Sequence, residues 1–456
     1  VNALDRVHTQ IDSNFSSHLE KAREFLRIPS VACQTVQLNL AADWLTGYME
    51  SIGATVNVVR GDHPPLLICR FHRSKPKTLL VYGMYDVQPA DDEGWTSPPF
   101  DAALGIVDGE EAIIGRGACN SKGPLVGLLN AIASIVQADD LPLNILFLIE
   151  GEEESGSPAL IDYVRANRSL LAADAALDPF WAEYGTDVDR PTLSLGTKGI
   201  LAAEVKASSG EWGGPTKRPV HSSVGGWLAS PTWRLIKAMA TVVDKREHIR
   251  IPGFEDEIRI GAEDEQILHL LATKLTYEQV LSLTGSSRLK AGQRPLDLLR
   301  RYFFKPTVSI AFSSDQGPDV IPTCASAQLV FRLVPGMQPQ VAIERLRSHL
   351  VHGGFGDIQT ELLYAYPGAR VSLHEDVVQS MILAYKFHNQ EAQILPFSAS
   401  ATPYFLFSDV LGIPFVWGGL GRAGRSHAPD EFATTEGLRL FEKSLATFLY
   451  TFADSR

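Results

Sequence analysis

Apolar residues recur at helical spacing over 15–27, and the pattern repeats over 40–52. Short β-rich runs bounded by turns follow at 55–59, 66–71 and 78–82. A polar, glycine-rich stretch, 83–123, reads as loop. The next segment, 124–136, reads as a helix with Pro124 near its start. Residues 143–149 are continuously apolar, which predicts a central strand covered on both faces. A helix over 158–164 and a strand over 172–177 complete an alternation that predicts an α/β unit with a largely parallel sheet. The pattern changes near residue 191. Half-buried strands are predicted at 191–195, 199–205, 305–312 and 325–334, with helices at 232–243 and 339–350. These belong to a separate α+β unit. After about residue 366 the α/β pattern resumes, with helices at 376–387 and 435–452 and a strand at 414–417.

The length of 456 residues exceeds what one core usually supports, so two domains, or one with a large insertion, are expected. A net charge of -12 argues against nucleic acid or anionic membrane as main partners, because both select basic patches. No apolar run is long enough to span a bilayer. Cys33, Cys69, Cys119 and Cys324 form no CxxC pair, which argues against a zinc ribbon or thioredoxin-type motif. Scattered thiols and an N-terminal stretch unlike a signal peptide predict a cytoplasmic protein.

The chemistry-bearing residues gather after predicted strands, where open α/β sheets place their sites. Gly83-Met84-Tyr85-Asp86-Val87-Gln88-Pro89 follows one strand. Gly115-Arg116-Gly117-Ala118-Cys119-Asn120-Ser121-Lys122-Gly123 follows the next loop. Glu150-Gly151-Glu152-Glu153-Glu154-Ser155-Gly156-Ser157 and Asp178 follow two further strands. Ser426-His427-Ala428-Pro429-Asp430-Glu431 lies near the C-terminus.

In order and spacing these segments resemble the aminoacylase/carnosine dipeptidase/succinyl-diaminopimelate desuccinylase family of dizinc metallopeptidases. The inserted unit resembles the long-lid dipeptidase branch, through Pro219-Val220-His221-Ser222, Ile251-Pro252-Gly253-Phe254, Ile321-Pro322-Thr323 and Arg332-Leu333-Val334-Pro335. The resemblance implies a zinc-peptidase-like catalytic α/β domain, its mostly parallel sheet flanked by helices, in two segments, 1–196 and 366–456. An inserted α+β lid and dimerisation domain would occupy 197–365. It implies Glu153 as general base, Glu154, Asp178 and His427 as metal ligands, and Asp86 as the residue orienting a metal-binding histidine. His221 would polarise the scissile carbonyl in a neighbouring subunit, which implies a homodimer. Arg332 is a candidate for the substrate carboxylate.

The chain departs from the family pattern where metal chemistry is most demanding. Met84 stands where the first histidine should be, and Asn120 where a carboxylate should bridge two cations. A thioether is a weak ligand for a borderline cation, and a neutral amide oxygen cannot bridge two. The family's Gly-Gly-Ser-x-Pro carboxylate anchor is Ala399-Ser400-Ala401-Thr402-Pro403, so side chains occupy positions where glycine allows close backbone approach. Met84, Cys119, Asn120, Ser400 and Thr402 are therefore read as substrate-facing. The retained ligands predict one weakly held divalent cation (zinc, manganese or cobalt) or none. Three functions stay open. The first is hydrolysis of an amide or peptide bond of a small, dipeptide-like substrate at a depleted metal site. The second is metal-independent amide formation, acyl transfer or acid–base chemistry. The third is a catalytically silent, ligand-binding homologue.

Overall fold

The computed structural model describes residues 2–182, 190–290, 292–313 and 317–455. Two compact units emerge, residues 1–195 with 371–395 and 406–456, and residues 196–370 with 396–405.

The first unit is organised by a six-stranded sheet. Its strands are β1 (Thr55–Val59), β2 (Leu66–Phe71), β3 (Thr78–Met84), β4 (Asn144–Glu150), β5 (Ala175–Pro179) and β6 (Phe415–Gly418), in the order β1-β2-β4-β3-β5-β6. β4, β3, β5 and β6 run parallel, while β2 pairs antiparallel with β4 and β1 with β2. β4 is buried at every position, as its unbroken apolar run requires. Helices α1 (Ala3–Leu26), α2 (Lys122–Ala138) and α3 (Thr435–Asp454) pack against one another. α2 is buried from Lys122 through Ile135, which accounts for its nearly all-apolar sequence.

The stretch read as a continuous loop over 83–123 contains a hairpin, Ala103–Val107 with Glu110–Ile114. Its turn is Asp108-Gly109, both with positive φ (51° and 88°), the conformation that Asp-Gly favours in two-residue hairpins. Phe432–Thr434 extends this small sheet and ties the C-terminal segment to the loop carrying Asn120.

The second unit is built on the long strand Gly196–Ser208. Cys324–Leu333 and Gln359–Tyr366 flank it antiparallel, and Thr307–Ser313 forms an outer edge. Helices Pro231–Val242, Ala262–Ala272, Tyr277–Thr284, Pro295–Phe304 and Pro339–His352 accompany the sheet. One segment departs from the boundaries expected from sequence. Pro396–Phe405 belongs to this unit, because Ser398–Ala401 pairs in parallel with Gly196–Ser208. Ser400 and Thr402 thus lie on the second unit.

Candidate active site

Three parallel strands bring the acidic residues of the first unit together. Met84 ends β3 and stands in register with Glu150, which ends β4. Asp178 lies within β5, one position from its end, rather than beyond it. Past Glu150 the chain turns tightly against Tyr85, and a Cβ on Gly151 would lie 2.5 Å from that ring. Only glycine passes there, and the turn delivers Glu153 and Glu154 to the sheet edge.

Asp86 is fully buried and accepts the backbone N–H groups of Glu153 (3.2 Å) and Glu154 (3.0 Å). It thereby fixes the two glutamates. Met84, 5% exposed, offers no imidazole for it to orient. Glu150 is buried beneath them, its Oε1 accepting from Tyr82 (2.7 Å) and Ser157 (2.8 Å) while its Oε2 has no partner.

Burial raises the Asp86 carboxyl to about 7 and the Glu150 carboxyl to about 8. Burial, then the charges of Glu154, Asp86, Glu150 and Asp178, pushes Glu153 well above the usual carboxylate range. A charged carboxylate among like charges in low dielectric is costly, so burial and mutual repulsion favour the protonated forms of this cluster.

Opposite stands a polar triangle. His427 Nε2 lies 3.0 Å from Glu154 Oε1 and 2.7 Å from Asn120 Nδ2, and Asn120 Nδ2 donates to Glu154 Oε1 at 3.3 Å. Gln88 donates to the other Glu154 oxygen at 2.8 Å. The hydrogen bond to Glu154 raises the His427 imidazole above its ordinary value. Asn120 Oδ1 accepts from the Ser121 hydroxyl (2.6 Å), so its one oxygen is engaged within the chain. His427 sits in a turn where Arg425, His427 and Asp430 all have positive φ, backbone strain of the kind found at functional sites. Cys119 is buried and its sulfur accepts from the Ser426 hydroxyl at 3.1 Å.

Sequence reasoning singled out no role for Glu431 or Arg116, yet they hold this half of the site. Glu431, fully buried, accepts the N–H groups of Cys119 (2.9 Å) and Asn120 (2.7 Å) through Oε1 and pairs with Arg116 through Oε2 (2.7 Å). Glu150 and Gln88 were also missed. All four lie inside the quoted motifs, but only the three-dimensional register shows what they touch.

On the second unit, His221 is exposed on the short strand Val220–His221, its Nδ1 2.9 Å from the Ser223 hydroxyl. Arg332 is half-buried on the strand Cys324–Leu333. The Ser400 hydroxyl meets that of Ser398 at 2.8 Å, and the Thr402 carbonyl accepts from Thr197 at 3.4 Å.

Among the described residues, no three His, Cys, Asp or Glu side chains are grouped to hold a metal ion. No described helix is long and apolar enough to cross a membrane.

A family model described as peptidase family M20/M25/M40 matches residues 80–451. The chain is 27% identical over 370 residues to a Cys-Gly metallodipeptidase of Schizosaccharomyces pombe, covering 76% of this chain and 75% of that one. It is 28% identical over 378 residues to the human Beta-Ala-His dipeptidase, covering 76% and 71%. Its structure is similar to that of an M20 family metallo-carboxypeptidase, Sso-CP2, from Sulfolobus solfataricus. There the TM-score is 0.85 and the identity 29%, over 96% of this chain and 99% of the other.

Proposed function

The chain belongs to peptidase family M20/M25/M40, and from that premise we propose that it hydrolyses the peptide or amide bond of a dipeptide-like substrate at a site reduced to one weakly held cation. Family membership supports hydrolysis of small peptides. The observation that carries the finer reading is the Glu154–Asn120–His427 triangle.

A two-ion centre does not fit these residues. The bridging position is a neutral amide with a single oxygen that already accepts from Ser121, and a buried thioether stands where the first imidazole would be. One cation fits better. Glu154 Oε1 and His427 Nε2 are hydrogen-bonded at 3.0 Å, and two donors of one tetrahedral zinc stand roughly 3.3–3.6 Å apart, so a small separation of the two side chains would let them share a cation. Two protein donors fall short of the three usual at catalytic zinc, hence the weak hold. When bound, such a cation would lower the pKa of water and polarise a carbonyl.

The chain's own groups do the rest. Glu153 takes the proton of the attacking water and passes it to the leaving amine. Asp86 holds Glu153 in place through its backbone N–H. Arg332, Ser400 and Thr402 are assigned to the substrate's carboxylate end, and Met84, Asn120 and Cys119 to its walls. His221 is assigned to a partner subunit's site in a homodimer. Its exposure, and the exposed apolar side chains of Trp227 (87%) and Trp233 (63%) on the same unit, support that assembly. Among the described residues no disulfide forms, which supports a cytoplasmic setting.

A second reading has its own support. Carboxyls kept protonated by burial can donate protons without any cation, as acid–base chemistry independent of metal would need. One experiment separates the two. Purified protein is assayed on a panel of dipeptides, with and without a strong chelator. The first reading expects hydrolysis that is lost with chelator and falls about 10²–10⁴-fold in Glu153→Gln. Hydrolysis indifferent to chelator but lost in Glu153→Gln establishes the second. Hydrolysis unchanged in Glu153→Gln sinks both.

A further inference from the structure

Far along the chain from the acidic motifs, the second unit carries a hollow of about 250 Å³ with the opposite charge. Five cationic side chains line it, Arg246, Lys290, Arg300, Arg301 and Lys305, against one carboxylate, Asp297. In a protein of net charge -12 this is a marked local reversal.

Two elements build it. Helix Pro295–Phe304 presents Asp297, Arg300 and Arg301 at i, i+3 and i+4, hence on one face. A tight turn presents Arg246 and His248. Its ends are joined by the Val243–Ile249 bridge, and Asp244 Oδ1 accepts the N–H groups of Arg246 (2.7 Å) and His248 (3.0 Å). Arg301 links the two elements by donating to His248 Nε2 and to the Arg246 carbonyl.

A helix C-terminus ordinarily repels an anion. Here the buried ammonium of Lys198 donates to the carbonyls of Tyr302 and Lys305, both at 2.8 Å, and offsets that end of the helix.

The pairing within the hollow selects the ligand. Lys290 is paired with Glu247, Lys305 with Glu255 and Arg300 with Glu265. Arg301 bonds only to an imidazole and a carbonyl, neither of them an anion. The Arg246 guanidinium has no partner among the described residues. Both guanidinium groups border the hollow and neither is ion-paired there, while Asp297 lines it and the charge of Glu247 lies near Arg301. With Lys290, Lys305 and Arg300 already paired, the charge left to meet an anion is that of Arg246 and Arg301, and a compact dianion suits two such cations. A phosphoryl group carries about two negative charges and three strong acceptor oxygens near neutral pH, and guanidinium forks match its geometry. The volume is below the ~300–1,000 Å³ of drug-sized sites, so it suits a phosphoryl group on a small body or none.

We propose that this hollow is a binding site for a phosphoryl anion, with Arg246 and Arg301 as its principal contacts. The assignment stands apart from the hydrolytic site.

Isothermal titration of the full chain tests it, with inorganic phosphate and glycerol 3-phosphate as probes and malonate as a dicarboxylate control. Saturable binding of at least one phosphoryl probe at a Kd of roughly 1 mM or tighter is expected, and the tighter probe tells whether free phosphate or a phosphate ester is the source. Raising the salt should weaken the binding. Arg246→Ala removes a guanidinium that holds nothing in the fold and should weaken binding at least about tenfold. Arg301→Lys keeps a cation but loses the fork and should weaken it as well. Arg347→Ala, on the helix Pro339–His352 and outside the hollow, should not. No saturation by either phosphoryl probe up to about 10 mM overturns the site. Equal affinity for malonate overturns the phosphoryl assignment, and unchanged binding in Arg246→Ala overturns its location.

Discussion

Arg116 and Glu431 show how much of the site rests on residues without chemistry of their own. The pair is 3% and 0% exposed, and it holds the amides of Cys119 and Asn120. Burial pushes the Glu431 carboxyl above its ordinary value, while the Asn120 amide and Arg116 draw it back. Arg116→Met leaves a buried carboxylate without its cation. Chemical denaturation should show a loss of about 3–5 kcal/mol. A loss within about 1 kcal/mol, the range of exposed pairs, would show that the pair is not structural. The motifs that carried the sequence reading named Asn120, Glu153, Glu154 and His427. They could not show that Glu431 reaches back across more than 300 residues to fix Asn120, because that link exists only once Phe432–Thr434 has paired with Glu110–Ile114.

At the level of elements, most helices and strands of the first unit were legible, since apolar periodicity reports burial directly. β1 and β2 fall where the β-rich runs predict them. The Ala103–Ile114 hairpin was missed because the polar composition around it outweighed the Asp-Gly turn signal. The strand Ser398–Ala401 was not legible as part of the second unit, because pairing to a distant strand leaves no local pattern.

One junction of elements also carries a pH dependence. His8 on α1 and His388, just past the helix Asp376–Phe387, both reach the Thr447 hydroxyl on α3, at 3.1 and 3.0 Å. That hydroxyl donates to the Lys443 carbonyl. Burial, then the neighbouring His8, lowers His388 from 6.5 to about 4, and burial, then Lys443, lowers His8. The unfolded chain takes up protons on these rings near 6.5, and the folded chain takes up the His388 proton only near 4. Stability from His388 is therefore complete above about 6.5 and is lost as pH falls from there toward 4. His388→Gln should lose less stability than the parent chain between pH 7 and pH 5, measured by denaturant midpoints. Equal losses in the two proteins would contradict this account.

For the whole molecule, the family frame and the departures from it point to different levels of function. The frame makes the chain a peptidase-family member. On the reading proposed above, the departures, Met84 and Asn120, limit the cation chemistry the frame can support. Assembly belongs to this scale too. If His221 serves a neighbouring site, light scattering should find a dimer, and His221→Ala should cut hydrolysis without dissociating it. A monomer with full activity would remove His221 from the mechanism. The most direct test of the central claim is the number of cations the chain binds at saturation, measured by equilibrium dialysis against zinc and manganese. The account predicts no more than one per chain, rising to two in the double variant Met84→His, Asn120→Asp. Two tightly held cations in the unaltered chain would contradict it.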